Sequence, residues 1–227
     1  CRPTGSYLEV RRMKHLLLIA FFITSGTIIA QSPIKVLDTD FSKGKLCNQQ
    51  QIDIGDVVKF HGHLCDGLVV GYLGLKAALY KIFPDSIIDR TSLRIISKSS
   101  PCLTDVSIYL SGARYQFSSF YVSDSIDYLM IVGTSDTGKY FGFNLKPGIK
   151  PKAIDSLGNL AIQGKLDACG LEELRKLENT FTNDLLNLSV ADIFIIDEFQ
   201  NFEWNPVLIG DFKKTDILNK SPVKCIH

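Results

Sequence analysis

Three side chains that bind transition metals lie within five residues of one another, in the segment His61-Gly62-His63-Leu64-Cys65. Imidazole nitrogen and thiolate sulfur are the ligands that zinc and similar borderline-soft ions prefer. In an extended segment, residues two apart point to the same side, so the three side chains can converge on one ion. Gly62 has no Cβ and tolerates positive φ, which lets the chain approach the ion closely. The spacing therefore predicts a metal site.

A second cysteine, Cys102, follows a Ser-Pro pair that is typical of a helix start. Cys65 likewise precedes a predicted helix over residues 67–82. The unpaired N–H groups and the dipole of a helix start stabilise a thiolate, so we expect both thiols to have a lowered pKa and to meet as a pincer. Asp105 lies on the same helix face as Cys102. It is a candidate ligand, a candidate orienting group for a histidine, and a candidate catalytic base.

Other interpretations of these residues stay open at this point. His61 and His63 can be surface loop residues beside a buried Cys65, or a Cys/His pair can be nucleophilic. Cys65 and Cys102 can instead form a redox pair, which requires metal-free thiols and a Cα separation of about 4.4–6.8 Å.

A metal site would serve either of two functions. A metal-dependent enzyme or redox accessory predicts a polar cleft beside His61 and Cys65, with a coordination position open to water or substrate. A non-catalytic module that captures or hands on metal or a metal-bearing cofactor predicts exchangeable metal and no organised base.

Residues 67–82 have the clearest helical pattern, because their apolar side chains recur at helical spacing until Pro84. Gly67, Gly71 and Gly74 in this helix predict a flat seam for close packing rather than a phosphate site, since GxGxxG spacing is missing. Further helices are predicted near 52–60, from the Ser-Pro pair to Gly112, and over 153–162 and 171–188. Strands are predicted over 93–96, 115–122, 128–132, 140–145 and 192–198.

Strands grouped together, with helices before and after them, indicate an α+β fold. We predict a single domain in which a mixed or antiparallel sheet, most simply a meander, is covered by helices. With 227 residues, of which 45% are hydrophobic and 22% charged, the chain can bury one substantial core. Its net charge of +1 comes from well-interspersed charges, so there is no basic stripe and nucleic acid is not an expected partner.

The first 30 residues predict export. Basic residues at 11, 12 and 14 precede an apolar run that continues through residue 29, and Ala30 is a plausible cleavage-site residue. Met13 resembles a natural start, which would make residues 1–12 an upstream extension. We expect a periplasmic or secreted protein without stable membrane insertion after cleavage. The alternative is an uncleaved anchor, for which the run is short of about 20 residues.

Residues 31–50 are expected to form an extended lead-in, and residues 51–227 the metal-binding domain. Export would favour disulfides, but five of the six cysteines remain without Cys1, and an odd number cannot all pair. Cys47 to Cys225 is one possible bridge.

Residues 60–68, with the sequence FHGHLCDGL, are followed by Gly71 and an apolar helix, and together they resemble the signature of the FmdE family of formylmethanofuran dehydrogenase proteins. The segments Cys102-Leu103-Thr104-Asp105 and Ser111-Gly112-Ala113 continue the resemblance, as does the helix over 171–188 that leads into a strand. The resemblance covers roughly residues 55–200.

This resemblance implies an α+β fold, a homodimer, and a zinc-type site in a cleft built from His61, His63, Cys65 and Cys102, with Asp105 nearby. Two departures are visible. Asp66 replaces the family's usual proline, and no counterpart of the C-terminal CxxC module is found. Formylmethanofuran chemistry is cytoplasmic and needs a separate protein that carries a molybdenum or tungsten pterin, so that activity is not predicted for this chain.

Overall fold

The computed structural model describes residues 32–40, 45–199 and 202 of the chain. Within them the helices are α1 Ile54–His61, α2 Asp66–Ile82, α3 Pro101–Ser111, α4 Lys152–Ile162, α5 Ala168–Asn187 and α6 Val190–Ile193. The strands are β1 Ile34–Asp40, β2 Lys45–Ile52, β3 Ile87–Asp89, β4 Leu93–Ser97, β5 Phe120–Val122, β6 Met130–Thr134, β7 Tyr140–Leu145 and β8 Phe194–Phe199. The predicted export segment lies outside the described residues. None of the described helices is long and apolar enough to cross a bilayer.

The larger sheet has five strands in the order β5-β4-β6-β7-β8. β6, β7 and β8 form an antiparallel meander, and β4 pairs antiparallel with β6. The predicted meander of the strands over 115–122, 128–132 and 140–145 is wrong for the first of them, because residues 115–117 form a short 3-10 helix and β5 pairs parallel with β4, with Ile95 opposite Phe120. Helix α3 carries the chain over the sheet between these two strands, which is the connection that a parallel pair requires. The predicted α+β fold with a mixed sheet covered by helices is confirmed.

The smaller sheet, in the order β2-β1-β3, uses the segment that was expected to be a lead-in. β1 pairs antiparallel with β2 and parallel with β3. Ile34 and Val36 of β1 are fully buried in the same hydrophobic core as α2. Within residues 32–40 and 45–50 the chain is therefore extended but is also part of the packed core, because Ile34 and Val36 are buried there.

Helix α2 lies at the centre of the core, and its glycines form the predicted seam. A Cβ on Gly71 would stand 3.3 Å from Leu103 and Val106 of α3, and one on Gly74 would overlap the Phe143 ring of β7. These close contacts explain why glycine is used inside the helix despite its cost of about 1 kcal/mol relative to alanine. The seam brings the first turns of α2 and α3 next to each other.

One further cysteine side chain is among those that the structure describes. Cys169, at the start of α5, is an exposed free thiol. The possible bridge between Cys47 and Cys225 stays a prediction, because the side chain of Cys47 and all of Cys225 lie outside the described residues.

Candidate metal centre

A tight turn between α1 and α2 positions His61 and Cys65. Helix α1 ends at His61, and Gly62 follows it in the left-handed conformation with φ of +104° and donates its N–H to the Val58 carbonyl. Cys65 is the N-cap of α2, and its sulfur accepts from the Leu68 N–H at 3.4 Å. The predicted extended geometry is wrong, since a helix end and a helix cap face each other instead. An added Cβ at Gly62 would meet nothing within 4 Å, so this glycine serves the turn.

Cys102 reaches the same place from α3. Ser100 caps α3 through its hydroxyl, which accepts from the Leu103 N–H at 3.4 Å, and Pro101 opens the first turn, as the sequence predicts. The sulfur of Cys102 lies 3.5 Å from that of Cys65. Gly67 makes this approach possible, because a Cβ there would stand 2.9 Å from the Cys102 sulfur.

His61 completes a triangle of donor atoms with the two thiols. Its Nε2 lies 3.7 Å from the sulfur of Cys65 and 3.7 Å from that of Cys102. On the other side of the ring, Nδ1 lies 2.7 Å from Oδ2 of Asp105. A carboxylate accepts, so this bond assigns a hydrogen to Nδ1; the neutral imidazole then turns its Nε2 lone pair towards the sulfurs, and the protonated ring donates from Nε2 to the Cys65 thiolate. The imidazole side chain is only 6% exposed and is therefore held in this orientation.

The dimensions of the triangle fit a tetrahedral ion. Zn–S bonds of about 2.3 Å and Zn–N bonds of about 2.0–2.1 Å at tetrahedral angles separate neighbouring ligand atoms by roughly 3.5–3.8 Å. The three separations among Cys65, Cys102 and His61 are 3.5, 3.7 and 3.7 Å. Two thiolates and one imidazole thus match three corners of such a site and leave a fourth corner open.

His63 lies on the exposed side of this triangle. Its ring is 4.8 Å from the His61 ring between centroids, and the two planes are inclined by 33°. One ligand atom each from His61, His63 and Cys65 lie within 4.8 Å of one another. His63 is therefore close enough to belong to a metal group, but it is exposed, whereas the other three donor residues are partly buried.

The two thiols have opposite pKa shifts. The hydrogen bond from Cys102 lowers the pKa of Cys65 to about 5, with help from the Leu68 N–H and His61, although burial opposes it. The same hydrogen bond, burial and the Cys65 charge raise the pKa of Cys102. The expectation of two lowered pKa values is wrong for Cys102, because two thiols 3.5 Å apart share one proton more readily than both ionise.

The pKa of His61 is also shifted by the negative charges around it. Burial alone would lower the pKa of His61, but its hydrogen bonds to Asp105 and Cys65 and their negative charges outweigh that effect and raise it. The metal-free site thus holds a thiolate on Cys65, a thiol on Cys102 and a basic imidazole between two negative groups.

Glu178 on α5 is a functional candidate that the sequence reasoning missed. The pKa of its carboxyl is raised by burial and then by the negative charges of Asp66 and Cys65. The glutamate therefore lies within electrostatic reach of the site. It carries no sequence signal, because it is one of several acidic residues on a polar helix.

A family profile matches a large part of the chain. Residues 60–195 match the profile of the family described as FmdE, Molybdenum formylmethanofuran dehydrogenase operon. The match begins one residue before His61 and ends in β8, so it includes every donor of the triangle. No curated protein sequence matches the chain.

Proposed function

The chain belongs to the FmdE family, and from that premise we propose that it binds one zinc-type divalent ion through Cys65, Cys102 and His61. The fourth coordination position of the ion is open to water or a small ligand. The protein then acts as a metal-dependent enzyme or redox accessory. The observation that carries this proposal is the donor triangle, whose separations of 3.5–3.7 Å fit tetrahedral zinc.

The residues around the ion have separate roles in this proposal. A bound ion of this kind supplies Lewis acidity towards an oxygen of a ligand in the open position. Asp105 holds the proton on His61 Nδ1, which supports an orienting role, and its role as a catalytic base stays a prediction. Glu178, with its raised pKa, is the carboxyl best suited to hold or release a proton beside the site. His63 is a candidate fourth ligand that an incoming molecule can displace.

A module that only captures or transfers metal is the first alternative. It requires exchangeable metal and no organised base beside the ion. The fixed Asp105–His61 pair and the proximity of Glu178 favour the catalytic proposal over this one.

A thiol redox function is the second alternative, favoured by the 3.5 Å contact between the sulfurs and by a Cys65 pKa of about 5. A small disulfide such as oxidised glutathione would take two electrons from the pair and one proton from Cys102, and it would take a second proton from water because Cys65 is already a thiolate. It would leave as two thiols while the Cys65–Cys102 bond forms. This function needs the metal-free protein.

Elemental analysis of protein purified without added metal tests these proposals. We expect about one zinc-type ion per chain in the wild type and in the control Cys169→Ser, whose thiol is exposed and remote. Cys65→Ser and His61→Ala should lose most of the metal. Full metal content in both variants would defeat the site assignment. Stoichiometric metal with thiols that do not react with iodoacetamide would remove the redox alternative.

Export and homodimerisation are also proposed for the mature chain. The N-terminal pattern supports export, and the family resemblance supports a dimer. Leu64, which is 42% exposed beside the site, is apolar surface suited to a contact between two copies of the chain. N-terminal sequencing of extracellular or periplasmic protein and sedimentation equilibrium test the two points. An intact N-terminus or a monomer would overturn the respective proposal.

A further inference from the structure

A cavity lies at the end of α3 opposite to the metal centre. It has a volume of about 440 Å³, which is in the range of small-molecule sites. Its walls come from β2, α1, the end of α3, and the loops that contain Arg90 and Arg114. Phe60, Arg90, Ile108, Tyr109 and Arg114 are among the residues that line it. No cysteine or histidine is among the described residues that line it, so this cavity is distinct from the metal centre.

Two of the charged groups at this cavity have partners of opposite charge. Arg90 donates from Nε and Nη2 to the two carboxylate oxygens of Asp38, and from Nη1 to the Tyr109 carbonyl at 3.3 Å. Asp56 accepts from Lys59 at 3.3 Å and from the Asp53 N–H at 3.1 Å. These charges are therefore compensated locally.

Arg114 differs from both. Its Nη1 donates to the carbonyls of Ile108 at 3.3 Å and Ala113 at 2.9 Å. Within residues 32–40, 45–199 and 202 it forms no ion pair, and its Nε and Nη2 hydrogens make no hydrogen bond. A guanidinium has five N–H donors in a planar fork, so an edge of Arg114 remains for an anion. The cavity therefore has one uncompensated positive charge among the groups that the structure describes.

Another part of the cavity lining is apolar and aromatic. The rings of Phe60 and Tyr109 are 5.4 Å apart between centroids and inclined by 41°. Phe60 is 51% exposed, so its ring offers a face to a ligand. Aromatic faces of this kind pack well against flat, unsaturated groups.

We propose that this cavity binds a small planar carboxylate. The carboxylate lies on the guanidinium of Arg114, and the apolar part of the ligand packs against Phe60 and Tyr109. A guanidinium fork matches the two oxygens of a carboxylate, and a single uncompensated cation matches a monoanion. The proposal goes beyond the metal centre and does not depend on it.

Isothermal titration of the full chain with benzoate tests the proposal, with benzamide as the uncharged ligand of the same shape. Wild-type protein should bind benzoate at least ten times more tightly than benzamide. Arg114→Gln should weaken benzoate binding at least tenfold. The control Arg175→Gln, on the exposed face of α5 where Arg175 pairs with Glu172, should leave it unchanged. Cys65→Ser should also bind benzoate normally, which separates this test from that of the metal centre.

Several results would overturn the proposal. They are no benzoate binding at millimolar concentration, equal binding of benzoate and benzamide, or undiminished binding by folded Arg114→Gln. If that variant does not fold, the ratio of benzoate to benzamide affinity in the wild type decides the question. Phe60→Ala provides a second check, since it should weaken benzoate several-fold and leave the preference over benzamide intact.

Discussion

The two ends of α3 have opposite chemistry. At its N-terminal end, Cys102 meets the Cys65 thiolate and the His61 imidazole. At its C-terminal end, Arg90 and Arg114 donate to the carbonyls of the last turn. A helix carries partial positive charge at its N-terminus and partial negative charge at its C-terminus. The Cys65 thiolate at the N-terminal end and the two arginines at the C-terminal end therefore each have a charge opposite to the partial charge of the helix end that they approach.

The two ends also differ in how their side chains are assembled. The soft donors at the N-terminal end come from three helices and meet only because α2 and α3 pack closely at Gly67. The arginines at the C-terminal end satisfy main-chain carbonyls near them in the fold. We therefore expect substitutions at the N-terminal end of α3 to change the metal affinity and substitutions at its C-terminal end to leave it unchanged.

Removing the sulfur at the N-terminal end should have the largest effect. Cys102→Ser replaces a soft ligand with a hydroxyl, so we expect the metal content after dialysis to fall at least tenfold. Arg114→Gln, at the other end of the same helix, should keep the full metal content. Elemental analysis of both variants checks the contrast. Equal metal content in the two would contradict the assignment of separate tasks to the two ends.

Removing the charge of the Asp105 carboxylate, which contacts His61 Nδ1, should have the next largest effect on metal affinity. Asp105→Asn removes the acceptor that fixes the imidazole, and a loss of metal affinity of roughly 10–100-fold is expected. Competition with a chromogenic zinc chelator measures it. Asp155→Asn is the control, because Asp155 is exposed on α4 and pairs with Lys150. An unchanged affinity in Asp105→Asn would mean that the 2.7 Å bond does not orient the ligand.

The close contact at Gly67 allows a test of packing alone. In Gly67→Ala the new Cβ would stand 2.9 Å from the Cys102 sulfur, so that side chain must shift. Overpacking of this kind costs about 1–3 kcal/mol, and zinc affinity should fall with it. Gly158→Ala on α4 has open space around the new methyl group and should be neutral or stabilising by about 0.5–1 kcal/mol. Urea denaturation and chelator competition check both variants, and similar behaviour in the two would exclude the proposed contact.

The opposite pKa shifts of the two thiols predict how binding depends on pH. Above a pKa of about 5, Cys65 is already a thiolate, whereas Cys102 keeps its proton through neutral pH because its pKa is raised. Binding must release that proton, so above the pKa of His61 the affinity should rise by about tenfold per pH unit up to pH ~8. The slope should steepen below the raised pKa of His61, where a second proton is displaced. Titration in buffers of different ionisation enthalpy counts the protons, and a flat profile would contradict the shared proton.

Local signals explain why much of this region was predictable. The Ser-Pro pair and Gly112 mark both ends of α3, and the apolar spacing after Cys65 marks α2, because caps and helical periodicity depend on neighbouring residues. The glycine seam was predictable for the same reason. These features place both cysteines at helix starts.

Features that depend on tertiary contact were not predictable. The geometry of residues 61–65 was predicted as extended, although His61 closes one helix and Cys65 caps another. The direction of the Cys102 pKa shift depends on a thiol that is distant in sequence. Glu178 reaches the site only through the packing of α5 on α2, and no local pattern separates it from other acidic residues.

Zinc X-ray absorption spectroscopy of the metal-loaded protein examines the proposed centre most directly. We predict a sulfur shell from two thiolates at about 2.3 Å and a nitrogen or oxygen shell at about 2.0–2.1 Å that includes one imidazole. A coordination shell of nitrogen and oxygen alone, without sulfur, would disprove the proposed centre, because the ion would then be bound elsewhere on the chain.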